Sequence, residues 1–177
     1  MKNLYPENEI VKLRALEFSD INLLFQWEND GTLWELSNTL TPFSKHVLEK
    51  YIENSHLSIY ETNQFRFMIE SKKEAKTIGA IDLFDFEPHH SKAGIGILIH
   101  NQEDRKKKYA TNALEILIKY CFEVLNLHQL YCNIEIDNIA SIHLLTKVGF
   151  EIIGTKKDWI RSGKIFKNVH FLQLINV

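Results

Sequence analysis

Arg105-Lys106-Lys107-Lys108 stand directly in front of the most regular helical pattern in the chain, Tyr109 to Phe122. The first turn of a helix carries free backbone N–H groups and partial positive charge. Cations placed there are unfavourable by roughly 0.3–1 kcal/mol each at low ionic strength. An anion seated between the lysines and the free N–H groups removes that conflict, and phosphate is the anion best matched to such donors. Read without its surroundings, the run is equally a solvated basic turn. A second supply of reactive groups lies in Asp82, Asp85, Glu87 and His89, followed by Asn133, Glu135, Asn138 and Ser141. Individually the acids read as exposed strand or turn residues, and Asn138 as a helix cap. Asp82 and Asp85 are three apart, so on a regular strand they face opposite ways unless a bulge intervenes.

The bulk of the chain limits what such groups can serve. Its 177 residues are 45% hydrophobic and 25% charged, which predicts one globular domain over residues 1–177. The formal net charge of −2 makes the basic run a local feature and argues against a nucleic-acid partner. Cys121 and Cys132 are too few for a disulfide scaffold and lack metal-ligand spacing. They read as reduced core residues of a cytoplasmic protein, with no metal expected. Met1 to Ile10 mixes charges with Pro6 and no apolar stretch approaches a membrane span, so neither export nor a membrane partner is expected.

The elements that must position these groups follow from hydrophobic periodicity. Ile10 to Arg14 alternates as a strand, and Ser19-Asp20 offers an N-cap for a helix through Ile21, Leu24, Phe25 and Trp27. Asn29-Asp30-Gly31 ends that helix, and Ser44 caps a second over Val47 to Ile52. Phe65 to Glu70, Thr77 to Phe86 and Ala93 to Ile99 form a three-strand meander. Ala110, Ala113, Leu114, Leu117 and Cys121 then give one helix an apolar face. Leu130 to Ile136 is a strand, and Asn138 opens a short helix that stops at Gly149. Phe150 to Gly154 and Val169 to Leu174 finish the sheet around a Ser162-Gly163-Lys164 turn. The expected class is α/β of the α+β type, a mixed and mainly antiparallel sheet flanked by helices.

Two segments together resemble a known family. Arg105 to Thr111, between a strand and an amphipathic helix, resembles the acetyl-CoA loop of the GNAT acyltransferases, (Gln/Arg)-x-x-Gly-x-(Gly/Ala). Arg105 and Ala110 fit, whereas Lys108 and Lys106 stand where glycines are expected. Asn138 to Phe150 resembles the family's Asn-x-x-(Ser/Ala)-…-Lys-x-Gly-Phe segment, and Val11 to Asp20 its first strand and helix cap. The similarity runs from about residue 10 to 175 and is nearest to the spermidine/diamine and ribosomal-protein N-acetyltransferases, the stretch Tyr120 to Tyr131 favouring the polyamine branch.

The resemblance implies an N-acetyltransferase that uses acetyl-CoA as co-substrate. Pyrophosphate would meet Arg105, Lys106, Lys107, Lys108, Tyr109, Ala110 and Thr111; the pantetheine arm would pair with the backbone of Ile97, Leu98 and Ile99; Asn138 and Ser141 would lie near the cofactor. An N–H near Leu98 or Ile99 would stabilise the oxyanion. Leu145 and Gly94 depart from the family, since they occupy positions where tyrosine acts as general acid and glutamate serves near the amine. Ser141, Asp85 and Glu135 are therefore the expected catalytic groups, and Glu28, Trp34, Glu35, Asp82 and Asp85 the expected acceptor-site groups, with Asp30 and Trp27 nearby. The acceptor would be a polyamine or other small amine, or a peptide N-terminus, and members form homodimers or larger homo-oligomers. The alternative is a catalytically degenerate acyl-CoA-binding sensor or structural protein of the same fold.

Overall fold

The structure, a computed structural model, describes residues 6–37, 39–105 and 107–177, with only the backbone at Glu35 and Leu36. A sheet of order β1-β2-β3-β4-β5-β7-β6 organises the chain. Its strands are β1 (Val11–Ala15), β2 (Phe65–Ser71), β3 (Lys76–Glu87), β4 (Lys92–Ile99), β5 (Gln129–Glu135), β6 (Glu151–Ser162) and β7 (Ile165–Ile175). Every neighbouring pair is antiparallel except β4 and β5. Parallel strands need a long crossover, supplied here by α5 (Tyr109–Glu123). The remaining helices are α1 (Ile21–Glu28), α2 (Trp34–Ser37), α3 (Lys45–Glu53), α4 (Ile59–Thr62) and α6 (Ile139–Lys147). The mixed, mainly antiparallel sheet expected from the sequence is the one observed.

Alternation sends the two sets of strand residues into two separate cores. On one face, α5 lays down Tyr109, Ala113, Leu114, Leu117 and Cys121 at helical spacing against Ile81, Leu83, Ile95 and Leu130. Leu145 of α6 and Phe150 join the same core. On the other face, Leu24 and Trp27 of α1 and Leu48 and Ile52 of α3 pack on Met68 and Ala80. The sheet thus has one face carrying α5 and α6 and an opposite face carrying α1 and α3.

Two local expectations change and one holds. Asp20 precedes α1 without capping it through its side chain. It is buried and accepts both Nη atoms of Arg14 at 2.8 Å, together with the Glu17 N–H at 2.9 Å. A fork of charge-assisted bonds to a half-buried guanidinium outweighs one neutral cap. Ser44 does cap α3, accepting the Val47 N–H at 3.2 Å. Strands β6 and β7 run well past Phe150–Gly154 and Val169–Leu174, meeting at Gly163, whose φ is +60°. Their outer half leaves Trp159, Ile165 and Phe166 exposed, so no buried face imposed the alternation that reveals a strand.

Candidate active site

β4 and β5 pair only over Lys92–Gln129, Ala93–Leu130 and Gly94–Tyr131. Beyond Gly94, β4 continues against β3 as far as Ile99, and β5 continues against β7. The sheet therefore opens between its two parallel strands. The Leu98 carbonyl is pressed toward β3, so close to Gly79 that a Cβ there would lie 2.0 Å away. The His100 N–H also turns to β3, donating to Ile78 O at 3.1 Å. By strand alternation the polar backbone groups of Ile97 and Ile99 then face the opening. Leu98 is the correction here: its backbone is turned away from the gap. The Ile99 carbonyl accepts Arg105 Nε at 3.2 Å, and Arg105 Nη2 reaches His100 O at 3.2 Å. Arg105 therefore pins the loop to the end of β4.

The loop separates its lysines by role. Lys107 Nζ donates to Asp104 at 3.0 Å and to Glu74 at 3.1 Å. Lys76 bonds the same two acids at 3.1 and 2.8 Å. The Tyr109 hydroxyl donates to Glu74 and accepts from Ser71, each at 3.1 Å, while its ring is buried. Glu74 is held at about 2 by Lys76, Lys107 and Tyr109. Burial raises the Asp104 carboxyl, but Lys107 and Lys76 more than reverse this and hold it below the ordinary value. Lys107 and the Tyr109 side chain thus brace the loop against the β2–β3 turn. Lys108 is exposed and adopts φ +63°, ψ 7° as the N-cap of α5. The slot where glycine is expected does require the left-handed conformation, and a lysine fills it. Ala110 and Thr111 follow in the first turn of α5, both partly buried. Lys106 lies outside the described residues.

On the opposite face, a cavity of about 350 Å³ is lined by Glu28, Phe43, Tyr51, Arg66, Asp82 and Phe84, among others. Arg66 occupies its centre of charge. Its Nε and Nη2 bond Asp82 at 2.7 and 3.1 Å, and Nη1 bonds Glu28 at 2.5 Å. Burial lowers the Arg66 pKa, but the two carboxylates raise it above its ordinary value, so the guanidinium stays charged. Glu28 and Asp82 come together as expected, yet both are engaged by the one Arg66 guanidinium, which leaves the three groups a single net negative charge. Arg66 was not anticipated; a basic residue between Phe65 and Phe67 in an alternating strand was its available signal. A register shift between Phe84 and Glu87, with Asp85 at φ +48°, supplies a bulge. There Asp85 accepts the Tyr131 hydroxyl at 3.0 Å. Tyr131 lies opposite Gly94 at the apex of the opening. Burial, and then donation to Asp85, pushes its phenol up to about 12.

The other expected residues scatter. Glu135 is bound by Lys167 at 2.8 Å and does not line the cavity. Trp34 donates its indole N–H to Glu28 O at 3.0 Å, a staple for the α1–α2 connection. Trp27 is core and stacks on His100 with centroids 5.3 Å apart, while His100 Nε2 sits 3.3 Å from Asp30. The Glu35 side chain lies outside what is described. Glu87 approaches Lys92 and His90 in the β3–β4 turn, where His89 packs on His90, and Asn133 accepts Lys156 at 2.8 Å. Asn138 caps α6 by accepting the Ser141 N–H at 3.2 Å, with Ser141 half-buried in the first turn of that helix. Leu145 is core, and the Cys121 and Cys132 thiols are pushed by burial to about 12. Among the described residues no group of three or more His, Cys, Asp or Glu side chains is arranged to hold a metal ion. No described helix is long and apolar enough to cross a membrane.

A split between parallel strands, leading through a pinned loop into a helix N-terminus, agrees with a family match over residues 11–151 to the acetyltransferase (GNAT) domain. The chain belongs to the GNAT acetyltransferase family. Spermidine N(1)-acetyltransferase of Escherichia coli (strain K12) is 29% identical to this GNAT chain over 152 residues, covering 84% of it and 77% of that protein. The crystal structure of spermidine N-acetyltransferase from Vibrio cholerae in complex with CoA and spermine shares the fold, with TM-score 0.83 at 24% identity, covering 95% of this chain and 96% of that one. A dodecameric structure of the Vibrio cholerae enzyme in an intermediate state has TM-score 0.77 at 24% identity and covers 95% of each chain. The GNAT chain is an N-acetyltransferase.

Proposed function

We propose that this GNAT enzyme moves the acetyl group of acetyl-CoA to a small primary amine by direct attack on the thioester. The observation that carries this reading is the open edge of β4, where Ile97 and Ile99 present unpaired-strand backbone to the gap. An extended pantetheine arm adds there as a strand would, and the pyrophosphate meets the N–H groups of Tyr109 to Thr111 with the exposed ammonium of Lys108. Acetyl-CoA enters from the α5 face, and the acceptor waits in the cavity on the α1–α3 face.

The neutral amine attacks the carbonyl carbon, and the C–O π electrons form an oxyanion facing a β4 N–H. Collapse breaks the C–S bond and expels the thiolate. Placing amine and thioester together supplies most of the rate. Once the amine has attacked, Asp85, held at the apex by Tyr131, takes the nitrogen's proton through water, while the departing thiolate accepts a hydrogen bond from the Ser141 hydroxyl and takes its proton from solvent. Glu135 has no part in this scheme, because Lys167 already neutralises it.

The polyamine activity named for the Escherichia coli and Vibrio cholerae relatives supports a small amine over a peptide N-terminus. The dodecamer of the latter supports self-association. A second reading, an acyl-CoA-binding protein without turnover, is favoured by one observation: Leu145 is buried in the core where the family places a proton-donating tyrosine. Thiol release from acetyl-CoA across a panel of primary amines separates the two. Release above background with recovery of an N-acetylated amine is expected. Tight acetyl-CoA binding with background release for every amine overturns transfer in favour of the second reading.

A further inference from the structure

We propose that the Phe84–Gly94 pair sets the acceptor specificity of this enzyme, shaping the cavity for a primary amine on an apolar, aromatic body rather than for a polycation. This deepens the acetyl-transfer reading and rests on it. The Phe84 ring lies directly on the backbone of Gly94: a Cβ at Gly94 would stand 2.3 Å from one ring carbon and 2.8 Å from two others. The same ring reaches over Gly96, where a Cβ would be 3.7 Å away. No side chain at position 94 coexists with Phe84 in its present rotamer. Gly94 is also the last residue of β4 paired with β5, opposite Tyr131. The apex of the split is therefore floored by aromatic surface. Phe84 meets Tyr131 edge-on with centroids 6.3 Å apart, and Tyr131 stacks on Phe171 at 5.6 Å.

Phe84 continues into the cavity beside Phe43, Val47, Leu48 and Phe65. The two carboxylates on that wall, Glu28 and Asp82, are engaged by the Arg66 guanidinium. A polyamine that presents a neutral nitrogen to the thioester still carries further ammonium groups. Those charges would have to share the single net negative charge that Glu28, Asp82 and the half-buried Arg66 guanidinium leave on that wall, and lose water there. An arylalkylamine carries one charge only, which it loses to solvent before it attacks, and its ring buries apolar area against the Phe84 wall.

The pair is testable by exchange. Steady-state kcat/KM is measured for phenethylamine and for spermidine in the wild type, Phe84→Val, Gly94→Glu and the double variant. Wild type is expected to favour phenethylamine by about tenfold or more. Phe84→Val alone lowers that preference mainly through KM. Gly94→Glu alone loses activity on both amines. Adding Phe84→Val opens room for the glutamate, restores turnover and reverses the preference toward spermidine. Wild type using spermidine as well as phenethylamine, or a Phe84→Val variant with an unchanged ratio, overturns the specificity assignment while leaving acetyl transfer standing. Background thiol release with every amine overturns both.

Discussion

Lys108 combines two properties that pull in opposite directions. Its left-handed backbone costs about 1–2 kcal/mol relative to the right-handed form, while its exposed ammonium sits at the positive end of α5. Both costs make sense if the residue meets a phosphate. Lys108→Gly is expected to raise stability by about 0.5–1 kcal/mol, the relief of strain being offset in part by the entropy of unfolded glycine. The same variant should bind acetyl-CoA several-fold more weakly, with a shallower dependence on salt, as calorimetry at two ionic strengths would show. Lys107→Ala should leave the salt dependence alone, since its ammonium is already held by Asp104 and Glu74. Equal affinity and salt dependence in Lys108→Gly would remove Lys108 from the phosphate site. The sequence made the basic run visible, but it could not divide the labour within it. Glu74 is 33 residues from Lys107, and nothing local marks the two as partners.

At the scale of elements, the brace of Glu74, Asp104, Lys76 and Lys107 ties the turn between β2 and β3 to the loop before α5. Both carboxylates are depressed in the folded protein. Their contribution is therefore fully present above the unfolded carboxylate value of about 4.3. It is lost as pH falls toward about 2, the folded value of Glu74. The protection factor of the Asn112 amide, which donates to Lys108 O at the start of α5, should fall across that window in the wild type. Glu74→Gln should flatten the acid dependence; an unchanged acid profile would mean that the brace does not hold the loop. Periodicity revealed α5, β1 and the meander because each has one buried face. It failed for the outer half of β6 and β7, where both faces meet water. It also could not place the bulge at Asp85, because a single residue at φ +48° leaves no trace in hydrophobic alternation. That bulge delivers Asp85 to Tyr131, so half of the candidate proton-handling group was legible as a residue and not as a geometry.

Across the whole molecule, one sheet carries two cores and opens between β4 and β5, and the proposed function assigns the two faces to cofactor and acceptor. β4 is held by its pairing with β3 and by the packing of α5 on one face. Leu114 is fully buried in that contact. Leu114→Ala should cost about 2–5 kcal/mol of stability, read as a fall in the denaturant midpoint. The order of elements and the place of the basic loop were legible because the chain must cross from β4 to β5 through one long helix. The acceptor cavity was less so, since Glu28, Arg66 and Asp82 come from α1, β2 and β3 and meet only after folding. Backbone amide exchange with and without acetyl-CoA tests the arrangement most directly. Protection concentrated at Ile97, Ile99 and Lys108 to Thr111 on binding is expected. Protection confined to other segments, or no change at the open edge of β4 under saturating acetyl-CoA, would contradict the assignment of the split as the acetyl-CoA site.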